Sequence, residues 1–85
     1  MESDPKKRVG FIGIILDDPA KSAAAVNAII SEMAHVVVAR VGIPYKERGC
    51  SVITLVVDAT TDEVGCLTGR LGKIAGVAVK SGLSR

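Results

Sequence analysis

The segment Arg8-Val-Gly-Phe-Ile-Gly-Ile-Ile-Leu16 is apolar at alternate positions in both phases and is closed by Asp17-Asp18-Pro19. Rich in β-branched residues, it reads as a strand covered on both sides rather than one with a wet face. Val9, Phe11 and Ile15 fall to one side of it, and Ile12, Ile14 and Leu16 to the other. A second run, Cys50-Ser-Val-Ile-Thr-Leu-Val-Val-Asp58, sets Val52 and Val56 against Ile53, Leu55 and Val57. Two such strands in a short chain demand apolar cover above and below one sheet, which restricts the fold to a layered architecture.

The chain of 85 residues has room for a single domain. It is 48% apolar, yet it holds no Trp and only one Phe and one Tyr, so Val, Ile, Leu and Ala must build the core. A net charge of +2, from 11 basic and 9 acidic residues spread along the chain, is too mild to point to nucleic acid. Cys50 and Cys66 lie in apolar stretches without metal-ligand or C-x-x-C spacing, which fits free, buried thiols in a reducing cytoplasm. Val9 to Leu16 is too short for a signal sequence or membrane span. Residues 1–7 are polar and are expected to be loose, leaving one domain over residues 8–82.

Asp18 before Pro19 starts a helix that should run to about Met33, with Ala23, Val26, Ile29, Ile30 and Met33 on its apolar side. His35 to Ile43 reads as a strand stopped by Pro44, and the link from Pro44 to Gly49 suits a hairpin into the strand Cys50 to Asp58. Val64, Leu67, Leu71 and Ile74 then repeat at helical spacing, with a Thr or Asp cap upstream. Gly76 to Lys80 is a short final strand and Ser81 to Arg85 a tail. The order βαββαβ is that of an α+β, ferredoxin-like sandwich, a four-stranded antiparallel sheet with both helices on one face. Its other face should alternate apolar with polar if it met water. Here it is apolar, which predicts a homo-oligomer, a dimer or tetramer, formed through that surface.

Asp17, Asp18 and Ser22 place two carboxylates and a hydroxyl at the start of the first helix, where open amides can receive an anion, although plain capping is the better reading of Asp18. Gly65, Gly69 and Gly72 form a stripe on the second helix that costs helix stability, and close approach of a neighbouring subunit, ahead of a small ligand, would explain it. His35, Cys50 and Cys66 show no metal spacing, so no metal site within one chain is expected, and a site shared between subunits is the arrangement left open. No nucleophile stands beside a base and no phosphate-cradling loop is present, so the pattern is not that of an enzyme. Arg70, Lys73 and Lys80 could make a basic edge, but without stacking aromatics or a helix-turn-helix pattern nucleic acid is not expected to bind this domain alone.

Arg40-Val-Gly-Ile-Pro-Tyr45, Ser51-Val-Ile-Thr-Leu-Val-Val57 and above all Leu67-Thr-Gly-Arg-Leu-Gly-Lys-Ile-Ala-Gly-Val-Ala-Val-Lys80 resemble the iron-only hydrogenase system regulator family. The resemblance runs from about Arg8 to the C-terminus. It implies an ACT-like ferredoxin fold, an oligomer and a regulatory role, with no established ligand. The sheet is also similar to the ligand-binding domain of the nickel-responsive repressor, but the His-rich pattern expected there is missing. Asp17-Asp18-Pro19-Ala20 is similar to the Asp-x-Pro-Gly turn near which ACT domains bind amino acids, with Ala20 in place of Gly.

The function expected is that of an oligomeric, ACT-like regulatory domain that holds a small effector such as an amino acid at a subunit interface and uses no cofactor. Asp17, Asp18, Ser22, Gly42, Pro44 and Tyr45 are its candidate lining, and Gly65, Gly69 and Gly72 its candidate interface. The alternative is a scaffold or protein-interaction module that senses nothing. Direct control of transcription would need a DNA-binding surface that these residues do not supply.

Overall fold

A computed structural model describes residues 6–84. The chain runs β1 (Arg8–Leu16), α1 (Pro19–Glu32), β2 (Val37–Tyr45), β3 (Cys50–Ala59), α2 (Thr61–Gly72) and β4 (Val77–Leu83). The four strands form one antiparallel sheet in the order β2-β3-β1-β4, with the two long apolar strands at its centre. This is the ferredoxin-like α+β sandwich, with both helices on the same side of the sheet.

Strand register separates the two faces of β1 as the period of two requires. Ile12, Ile14 and Leu16 are buried beneath the helices beside Ile53, Leu55 and Val57 of β3. Helix α1 adds Val26 and Ile30, and α2 adds Val64, Leu67 and Leu71, closing one aliphatic cluster. Val9, Phe11 and Ile15 point away from it and are exposed.

Helix α2 is capped as its sequence allows. The Thr60 hydroxyl accepts from the Glu63 amide at 3.1 Å, and the Glu63 carboxylate accepts from the Thr60 amide at 2.9 Å. At the start of α1 Asp18 occupies the cap position, but its side chain makes no capping bond. Instead its main-chain carbonyl accepts from the Ser22 hydroxyl at 3.1 Å.

Several boundaries depart from expectation. His35 lies in a 3₁₀ turn, Ala34–Val36, and β2 starts only at Val37. Pro44 does not stop that strand. It pairs with Ser51 because β2 is an edge strand, where a residue without an amide hydrogen costs no ladder bond if that side faces solvent. Residues 81–83 are strand rather than tail: Ser81, Gly82 and Leu83 lie opposite Ile12, Phe11 and Gly10. The expected loose segment 1–7 falls mostly outside the described residues, as does Arg85 at the end of the expected tail.

The close pairing of β1 with β4 depends on two glycines. A Cβ at Gly10 would strike the Gly82 carbonyl and the Leu83 side chain. A Cβ at Gly82 would sit 2.7 Å from two ring carbons of Phe11, so the ring lies over that glycine on the open face.

Candidate functional site

At the end of β1 the chain turns from the sheet into α1, and beside it the β2–β3 hairpin ends in the 3₁₀ turn Lys46–Arg48 and Gly49. Gly49 takes a left-handed conformation (φ 67°), which closes the hairpin so that Tyr45 stands opposite Cys50. An open groove with a volume of about 440 Å³ lies between these corners, lined by Ile15, Asp17, Tyr45, Arg48 and Cys50. It gathers a carboxylate, a guanidinium, a phenol and a thiol against an aliphatic wall. Opposite charges in so small a space suit a ligand that itself carries both.

Two of the expected lining residues, Asp17 and Tyr45, meet here. The others do not join them. Gly42 and Pro44 pair with Ile53 and Ser51, which puts them on the helix side of β2, opposite to Tyr45. Asp18 is exposed at the helix start, and Ser22 is only 2% exposed, with its hydroxyl spent on the Asp18 carbonyl. Ile15, Arg48 and Cys50 were not anticipated. The signal for Cys50 was in the hairpin, since a four-residue connection from Lys46 to Gly49 fixes it as the partner of Tyr45.

Elsewhere the polar side chains tie helices together. Arg70 Nη2 donates to Glu32 Oε2 at 2.7 Å, joining α2 to α1, and Arg40 Nη2 donates to Asn27 Oδ1 at 2.8 Å, joining β2 to α1. His35 Nε2 lies 3.3 Å from Glu63 Oε2. The Thr60 amide, and then the hydrogen bond from His35, hold the Glu63 carboxyl below its ordinary range. Arg70 and Lys73 belong to the helical layer while Lys80 lies opposite Gly13 on the far face, so the three make no common edge.

The thiols lie apart, Cys50 half-buried in the groove and Cys66 exposed on α2, which corrects the expectation that both are buried. Among the described residues no three His, Cys, Asp or Glu side chains converge as metal ligands would. A Cβ at Gly65, Gly69 or Gly72 would meet nothing within 4 Å, so no contact within the chain requires those glycines. No helix among the described residues is long and apolar enough to cross a membrane.

Residues 8–81 match the TM1266-like family model, described as "Iron-only hydrogenase system regulator, putative". The chain belongs to this family. Among solved structures it is similar to the uncharacterized protein TM1266 from Thermotoga maritima, at 33% identity and a TM-score of 0.89, covering 93% of this chain and 99% of that one. A formyltetrahydrofolate deformylase from Pseudomonas putida KT2440 shares the fold alone, at 12% identity and a TM-score of 0.63, the match covering 91% of this chain and 29% of that one. No curated protein matches the chain. The block from Leu67 to Lys80 that carries the resemblance forms the second half of α2, the turn after it and the first half of β4. In this TM1266-like chain it therefore supplies Gly69 and Gly72 of the glycine stripe and part of the sheet edge, and it borders the groove, where the Gly76 carbonyl accepts from the Asp17 amide at 2.8 Å and Ala78 pairs with Ile15.

Proposed function

We propose that this member of the iron-only hydrogenase system regulator family is a non-catalytic sensing domain, and that the Asp17–Arg48 groove is where it takes its effector. The observation that carries this reading is the convergence of Ile15, Asp17, Tyr45, Arg48 and Cys50 around one open groove. Asp17 suits an ammonium group, Arg48 a carboxylate and Tyr45 a polar or apolar body, so the class of ligand is a small zwitterion such as an amino acid. No hydrogen bond joins the Cys50 thiol to the Asp17 carboxylate, and we read the groove as a place of binding rather than chemistry.

Thermal unfolding with amino acids added singly, and with divalent metal ions as a comparison, tests the reading. One or a few amino acids at millimolar concentration should raise the midpoint, and Asp17→Asn or Arg48→Gln should abolish the rise. A flat response to every amino acid favours the second reading, an interaction module, which the exposed apolar sheet face supports. Direct transcriptional control is tested by a gel shift with promoter DNA at low salt, where absence of binding excludes DNA contact by this domain alone.

A further inference from the structure

We propose that the open face of the sheet is an interface with a second copy of this chain, the two sheets stacked face to face. Eight large apolar side chains of the sheet stand exposed, among them Phe11 at 54%, Val41 at 58% and Ile43 at 55%. Register puts these with Val9, Ile15 and Val56 on the side away from both helices.

Area is the first argument. Seven of the eight lie on this face, Val38 standing at the register shift with the opposite parity to Ala39, and side chains of this kind, left about half open, contribute on the order of 60–90 Å² each, or roughly 400–600 Å² of apolar surface together. That is in the upper part of the range for the largest patch on a typical monomer, about 300–600 Å². With the backbone and Thr54 between them it approaches the ~800 Å² per partner of a standard stable interface.

Shape and charge then select a second copy. The Phe11 ring is laid over Gly82 instead of standing up from the sheet, and Gly13 adds no side chain, so the middle of the face is low and flat. Flat apolar faces stack at about 10 Å with their side chains interleaved. The charged groups of this face, Asp58, Asp17, Arg48 and Lys80, lie at strand ends, in the hairpin turn or on the edge strand. A centre without charge meets its own copy without repulsion, as a two-fold contact using the same patch twice requires. Ile15, Tyr45 and Cys50 belong both to this face and to the groove, so a stacked partner would roof it. This last step rests on the sensing role proposed above, whereas the contact itself does not.

Light scattering over a range of concentrations tests the contact. The native chain should show at least twice its 8.8 kDa mass, and Val41→Glu and Ile43→Lys, both at exposed positions, should return it to the monomer with an unchanged circular dichroism spectrum. A native monomer at 100 μM would overturn the proposal, on the order of a weak, transient contact at best. So would face variants that keep the dimer mass, or Gly69→Leu on α2 dissociating the protein when they do not. Amino-acid stabilisation lost in Asp17→Asn but kept in a chain found to be monomeric would sink the interface and leave the groove reading intact.

Discussion

Thr60 and Glu63 hold the start of α2 through a reciprocal pair of hydrogen bonds, and the exchange can be taken apart one atom at a time. Thr60→Ala should cost about 1 kcal/mol in chemical unfolding. Glu63→Gln keeps a side chain that can complete the capping box but removes the charge. Because the folded-state carboxyl titrates below its ordinary range, its stabilisation is present above about pH 4.3 and is lost as pH falls through the lowered folded value. Stability of the Gln variant should therefore fall less steeply than that of the native chain as pH is taken from about 6 to 3, as urea midpoints along the pH series will show. Two glycines should respond with opposite signs. Gly69→Ala, in open space on a helix, should stabilise by about 0.5–1 kcal/mol, whereas Gly10→Ala, against the Gly82 carbonyl, should destabilise by about 1–3 kcal/mol.

The central strands carry the fold. Leu55→Ala or Ile14→Ala removes a fully buried side chain from beneath the helices and should cost about 2–5 kcal/mol, measured by urea unfolding. At this scale the sequence was most informative, because alternation along β1 and β3 named which residues face the helices, and helical spacing did the same for Val26 and Ile30, and for Leu67 and Leu71. Boundaries were less legible where a distant partner decides them. Ser81 to Leu83 become strand only because β1 lies alongside, and Pro44 is accepted only because nothing pairs beyond β2. The groove was half legible for the same reason. Asp17 and Tyr45 announced themselves as polar groups at element ends, but Gly42 and Pro44 differ from Tyr45 in parity, and the pleat sends them to the other side. Arg48 has no local signal, since only the folded hairpin brings it to the end of β1.

For the whole molecule, association and stability should be linked. If the apolar face is covered by a second copy, the thermal midpoint should rise with protein concentration in the native chain and not in Val41→Glu, which differential scanning calorimetry at several concentrations can follow. The arrangement of the sheet also governs how the domain comes into being. Its middle pair joins Arg8 to Ala59 and Leu16 to Ser51, across α1, β2 and the hairpin. Only the β2–β3 hairpin can form from neighbouring sequence, and the central ladder must wait until a long loop closes, so folding is set by that closure more than by helix formation. During synthesis β1, apolar on both sides, leaves the ribosome well before β3 exists to receive it. Its earliest hazard is thus pairing with the same strand of another nascent chain, and a chaperone that shields Arg8–Leu16 would improve the yield of folded protein.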